Sequence, residues 1–226
     1  MMALIKKAFA WSYSGLKAFE TCARQFHEVQ IRKSFKGTKG PELLWGDRVH
    51  KAIAATLAEN VAIPDEMLLY KPWIEKVRIG PGQLYVEQKY ALTKEFKPTT
   101  YFSSDVWYRG IGDAVRIYGS VALVVDWKTG KVLDDPVQLL LMALCIFNHF
   151  PKVQRVKAVF VWLKYDTQSE QIFTRQEIAD SMVGVLDRVH SMKEAYDTDN
   201  YPPNPSGLCR KHCPVTSCQY WGKGSF

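Results

Sequence analysis

Apolar and polar positions along this chain switch between helical and strand periodicity. Leu16, Phe19, Cys22, Ala23, Phe26 and Val29 recur at helical spacing and predict a helix over 13–33, with Ser12 or Ser14 as N-cap. Residues 41–60 predict a second helix, with Leu43, Leu44, Ala52, Ile53 and Leu57 as its core stripe. The stretch 84–92 alternates like a half-buried strand. Residues 106–118 predict another, which Tyr118-Gly119-Ser120 turns into a third over Val121–Lys128. Asp134-Asp135-Pro136 starts a helix with Asp135 as N-cap and proline in the first turn. That helix runs through Gln138–Phe147, is apolar on nearly every side, and so should be deeply packed, with Cys145 in the core. Strands over 156–165 and 170–174 and a long amphipathic helix over 176–196 follow, and Tyr201-Pro202-Pro203-Asn204-Pro205 ends regular structure. The order predicts an α/β fold.

Composition narrows this picture modestly. A chain of 226 residues can bury one substantial core, or one core with a small appended lobe. Hydrophobic content of 47% excludes wholesale disorder. Thirty Lys and Arg against 23 Asp and Glu leave +7, which suits a polyanionic partner without proving one. No apolar run approaches the ~20 residues of a membrane span. The first ten residues lack the apolar region and cleavage site of a secretion signal, so an intracellular, cytoplasmic protein is expected. Five cysteines, an odd count, point to metal or buried thiols rather than a disulfide framework.

The candidate chemistry centres on Val121–Lys128. Asp126 and Lys128 are two residues apart on a strand, so their side chains leave the same face at the lip of an apolar run. Such charges are costly there unless paired or used. Gly110-Ile111-Gly112-Asp113 puts a second carboxylate on the preceding strand. The hairpin should bring Asp113 and Asp126 to the same end of the sheet, as a shared cation site. Glu87 is a third candidate carboxylate, and a solvent-facing strand acid fits its pattern equally well. His50 lies on the second helix, where a histidine is more often structural than a ligand. Gln138 is the lone polar side chain in the first turns of its helix. In the tail, Cys209, Cys213 and Cys218 lie within ten residues, spacing that suits zinc or an iron–sulfur cluster. His212 as fourth ligand would favour zinc, and Cys22 would favour [4Fe–4S]. The polar, basic loop 34–39 is most simply a solvated loop.

The order His50, Asp113, Asp126-Trp127-Lys128, Gln138 resembles the RecB-type branch of the PD-(D/E)XK nucleases. Cys22 and the three tail cysteines, with the opening 12–26, further resemble its iron–sulfur subgroup: AddB-type nuclease domains, CRISPR-associated RecB-like exonucleases and related phage nucleases. The resemblance implies a restriction-endonuclease-like core, a central mixed sheet flanked by helices. A cysteine-rich lobe would join the first helix to the tail. The whole of 1–226 would be one nuclease domain, with its core at 40–198 and the cluster lobe formed by 12–33 and 199–226.

What the resemblance implies about function is specific. His50, Asp113, Asp126 and the Trp127 backbone carbonyl, with Glu87 as an addition, would hold Mg2+ or Mn2+. Lys128, Asp113, Asp126 and Gln138 would be the catalytic set. The activity would be metal-dependent DNA hydrolysis by metal-activated water, exonucleolytic in particular, on single strands or duplex ends. A helicase or a recombination or repair partner would supply any motor. Cys22, Cys209, Cys213 and Cys218 would hold a [4Fe–4S] cluster, with Zn2+ the alternative. Three departures stand out: Asp126 replaces the commoner Glu, Met142 stands where a Tyr often follows the Gln, and the tail spacing is looser than CxxC. The rival readings are an inactive nuclease fold kept as a DNA-binding or assembly subunit, and a zinc-ribbon-tailed binding module. The first leaves Lys128 beside two acids without a reason, and the second leaves His50 and Asp113 unexplained.

Overall fold

A five-stranded mixed sheet forms around the run of β-branched residues at the chain's centre. The protein is described by a computed structural model, which covers residues 8–37, 40–133 and 135–224. Asp134 and positions 38 and 39 of the basic loop lie outside the described residues. The chain divides into two units, residues 40–183 and residues 1–39 with 184–226. The long helix expected at 176–196 crosses this division and is broken there.

In the first unit, α3 (Pro41–Glu59) and α4 (Lys71–Ile79) precede β1 (Gln83–Leu92), β2 (Tyr108–Tyr118) and β3 (Val121–Lys128). Then come α5 (Pro136–His149), β4 (Arg155–Trp162), β5 (Thr167–Thr174) and the short α6 (Ile178–Ser181). The strands lie in the order β1-β2-β3-β4-β5, with β3 and β4 parallel and every other pair antiparallel. The parallel pair needs a crossover, and α5 supplies it.

Alternation along β3 explains the two faces. Val125 and Trp127 enter a core with Val49, Ile53 and Leu57 of α3, Ile74 and Val77 of α4, and Val159 and Val161 of β4. Asp126 and Lys128 leave the other face, toward the first turn of α5. Asp135 caps that helix through a bond from Val137 N–H, as the Asp-Pro start leads one to expect. Cys145 is fully buried in it.

Two arginines close helix C-termini, where unpaired carbonyls accumulate. Arg116 of β2, nearly buried, donates to the carbonyls of Val77 and Arg78 at the end of α4 and to Gly82 beyond it. Gly82, at φ +86°, turns the chain so tightly against Ile117 O that no side chain would fit. Arg175 likewise donates to Phe147, Phe150 and Val153 carbonyls at the end of α5.

Several expectations need correction. Leu43 and Leu44 are 61% and 55% exposed. At 100° per residue Leu44 lies half a turn from Ile53, and the stripe that packs is Val49, Ile53 and Leu57. The strand expected to reach residue 165 ends at Trp162 in a 3-10 turn, and the fifth strand starts three residues early, at Thr167.

The second unit holds α1 (Tyr13–Thr21), α2 (Ala23–Phe26), a π-helical turn (His27–Ile31), α7 (Val183–Thr198) and the tail. The single helix expected over 13–33 is broken at Cys22, which is extended (φ −164°, ψ 108°) and closes α1 through its N–H to Ala18 O. Ser12 is the N-cap, accepting from Gly15 N–H. Glu20 of α1 and Arg188 of α7 form a two-pronged ion pair at 2.6 and 2.9 Å. No helix among the described residues is long and apolar enough to cross a membrane.

Candidate active site

The sheet splits where its carboxylates meet. The last pair joining β2 to β3 is Ala114 with Val125. Continuing that register by one residue sets Asp113 opposite Asp126. Beyond it, the end of β3 pairs only with β4, and the start of β2 only with β1. The Trp127 N–H, released from the β2 ladder, donates instead to Asp113 Oδ2 at 2.9 Å. A cleft of about 850 Å³ opens there, bordered by α3, the strand ends, Thr129, Gly130 and Gln138. Gly46 lets α3 approach the strand end, since a Cβ there would lie 3.1 Å from Thr129 Oγ1.

Glu87 joins the row from the other side. Val86 pairs with Ala114 and Gln88 with Gly112, so the intervening Glu87 and Asp113 stand at one level. Glu87 has φ +49°, a conformation that costs a non-glycine residue about 1–3 kcal/mol. The two strands change face here. A side chain at Gly112 would run into Met142 of α5 and Tyr90, whereas Val86 and Ala114 face the α3 core. Strand periodicity therefore gives the wrong face for one side of this kink, which is why the pattern left Glu87 ambiguous.

His50 completes the cluster from α3. Its Nδ1 lies 3.3 Å from Asp113 Oδ2, and one donor atom each of His50, Glu87 and Asp113 falls within 4.8 Å of the others. Burial alone would lower the His50 pKa. The Asp113 hydrogen bond and the charges of Asp113, Asp126 and Glu87 outweigh it and raise it to about 9. Glu87 is shifted upward by burial and by Asp113. The pocket thus calls for positive charge, and one imidazole with two carboxylates is a donor set that could hold a divalent cation.

Asp126 is held differently. Only 6% exposed, it accepts from Gln138 Nε2 at 2.5 Å through Oδ1 and lies 2.7 Å from Lys128 Nζ through Oδ2. Burial and the Asp113 charge push its carboxyl up to about 6 against the pull of Lys128. Lys128 Nζ also donates to Gln138 Oε1 at 2.8 Å and sits 4.9 Å from the Phe160 ring centre. Gln138 therefore braces the acid and the base together.

The structure accordingly brings His50, Glu87, Asp113, Asp126, Lys128 and Gln138 to one cleft. The compact three-donor set contains Glu87 rather than Asp126. Trp127 contributes its N–H to Asp113, and its ring is buried in the core. Met142 is buried too and packs over Gly110 and Gly112, filling the sheet face rather than the cleft. Sequence reasoning missed Asp47 and Lys51, which also line the cleft from α3; Asp47 lies one turn before His50, so helical spacing points to it once His50 is placed, whereas Lys51 is the next residue along and no spacing rule marks it.

Cys22, Cys209, Cys213 and Cys218 line a separate small pocket in the second unit, none of them in a disulfide. Asn204 N–H points at Cys22 Sγ (3.4 Å) and Ser206 N–H at Cys209 Sγ (3.5 Å). Burial and the other three thiols push the Cys213 thiol up.

A crystal structure from Eubacterium rectale, provisionally called an exonuclease, matches at 11% identity with a TM-score of 0.51, covering 88% of this chain and 85% of that one. The structure of SSO0001 matches at 12% identity with a TM-score of 0.43, covering 97% of this chain and 90% of that one. No sequence among curated proteins matches. The first likeness supports a restriction-endonuclease-like fold. The family model of the PD-(D/E)XK nuclease superfamily matches residues 10–219, spanning both units and every residue of the cleft. The chain belongs to the PD-(D/E)XK nuclease superfamily.

Proposed function

We propose that the protein is a metal-dependent deoxyribonuclease that hydrolyses phosphodiester bonds, acting on single strands or duplex ends as an exonuclease. The observation that carries this reading is the meeting of His50, Glu87 and Asp113 beside a lysine braced against a buried acid. His50, Glu87 and Asp113 would hold one Mg2+ or Mn2+, with Asp126 and the Trp127 carbonyl extending the set. A cation there supplies Lewis-acid polarisation of the phosphodiester and offsets the charge that grows on it. Lys128, fixed by Asp126 and Gln138, places an ammonium where it orients the attacking water and steadies the phosphorane-like state. The provisional description of the Eubacterium rectale protein agrees with exonuclease action.

The four cysteines would bind a [4Fe–4S] cluster that staples the α1–α2 junction to the tail, a role in folding rather than turnover. The four thiols line one small pocket, and a single Zn2+ held by them is the alternative. A helicase or repair partner would supply any unwinding.

The test is cleavage of end-labelled single- and double-stranded DNA with Mg2+, Mn2+ or EDTA, beside Lys128→Ala. The variant should lose roughly a hundredfold or more in rate while keeping its fold. No cleavage by the folded, metal-supplied wild type would favour an inactive DNA-binding or assembly subunit.

A further inference from the structure

The connection between β1 and β2 presents an arrangement that the cleft chemistry does not use. Ser103 N–H bonds to Thr100 O at 3.0 Å, so Tyr101 and Phe102 occupy the two central positions of a tight turn. Those positions ordinarily take Gly, Pro, Asn or Asp. Here they hold two aromatics, and Phe102 is 82% exposed. The loop is braced around them by Thr99 N–H to Ala91 O, Trp107 N–H to Leu92 O, and Thr99 Oγ1 to Asp105 Oδ1. The rings meet edge to face at 5.2 Å.

Two cations attend the pair. Lys89 Nζ lies 5.5 Å from both ring centres, and Arg109 lies 5.8 Å from that of Tyr101 while donating to its carbonyl at 2.7 Å. Among the described residues neither has a carboxylate partner. Their position connects them to the cleft. Lys89 pairs with Ile111, which lines the cleft, so the two side chains share a face. Arg109 lies two residues before Ile111 on β2, about 13 Å from Asp113 at the rise of a strand. That distance is about four stacked nucleotides of one strand.

We propose that Tyr101 and Phe102, flanked by Lys89 and Arg109, form a stacking platform for unpaired bases of the strand whose backbone enters the His50–Glu87–Asp113 cleft. The proposal rests on the nuclease reading and adds the substrate class: a single-stranded segment. Every base has a face to stack, and cations beside the rings meet the phosphates, so affinity is sequence-tolerant and salt-dependent.

The test is fluorescence-anisotropy binding of labelled oligothymidylate, and of the same oligonucleotide made abasic, to the full chain in EDTA. Phe102→Ala, an exposed turn position that the fold does not need, should weaken oligothymidylate binding about tenfold. It should weaken abasic binding little, and Phe102→Trp should restore affinity. Equal losses on both ligands, or no loss on either, would overturn the platform while leaving the nuclease reading intact. A wild type that neither binds nor cleaves would overturn both.

Discussion

Gln138 Oε1 accepts from Lys128 Nζ at 2.8 Å, across the gap between the last residue of β3 and the first turn of α5. The same amide donates to Asp126, so one neutral side chain fixes the distance between a base and an acid. The family resemblance places Gln138 in the catalytic set, and its two hydrogen bonds make it a positioning residue within the proposed mechanism.

Gln138→Ala should therefore slow single-turnover cleavage by roughly tenfold to a hundredfold, the worth of a hydrogen bond to a charged group. KM should move little. A variant with normal turnover and a raised KM would make Gln138 a substrate-binding residue instead.

Glu87 decides the composition of the metal site. Mn2+ at a hundred times its Kd should stabilise the wild type by about 2.7 kcal/mol, a rise of several degrees in Tm. Asp113→Asn and Glu87→Gln should each remove most of that rise, measured by thermal unfolding with and without Mn2+. A full rise in Glu87→Gln would make Glu87 the solvent-facing acid that its strand pattern equally allowed.

The parts of this site that the sequence made legible are those where local rules and tertiary structure agree. The Val121–Lys128 run has one strand period, Gly119 sits at φ +56° in the turn before it, and Asp135-Pro136 is a helix start in any context. From these alone follow the register of Asp113 against Asp126 and the reach of Gln138. Glu87 was not legible, because the strands change face at it and no period survives such a kink. Leu43 and Leu44 misled for a related reason: on α3 Leu43 borders the cleft and Leu44 is exposed half a turn from the core stripe, so hydrophobicity did not report burial. The breaks at Cys22 and Met182 carry no proline or glycine at the break itself, leaving nothing for a local rule to detect.

Cys218 tests the tail. Cys218→Ser should lower iron and sulfide content and the thermal stability of the protein, with far-UV circular dichroism of the remaining fold preserved. Anaerobic purification followed by elemental analysis separates iron from zinc. Unchanged metal content and unchanged stability would show that the tail thiols are not a metal site.

His27 gives the second unit a pH dependence of its own. Its ring is stacked on Tyr201 at 4.2 Å and 9°, with Nε2 3.6 Å from Asp199 Oδ1. Burial lowers its pKa below the ordinary 6.5. Asp199 and Glu28 oppose the shift, and Arg32 and Arg24 reinforce it. A histidine whose pKa is lower folded than unfolded takes up more protons in the unfolded chain, so stability rises with pH across the interval between the two values. The contribution of neutral His27 is fully present above 6.5 and is lost as pH falls through the folded pKa. The His27 Cε1 proton should titrate in NMR with a midpoint below 6.5, and His27→Phe should flatten the fall in Tm between pH 6.5 and 5. A midpoint at or above 6.5 would mean that Asp199 and Glu28 outweigh burial. In that case acidification would strengthen the His27–Asp199 pair, and the wild-type slope would reverse sign.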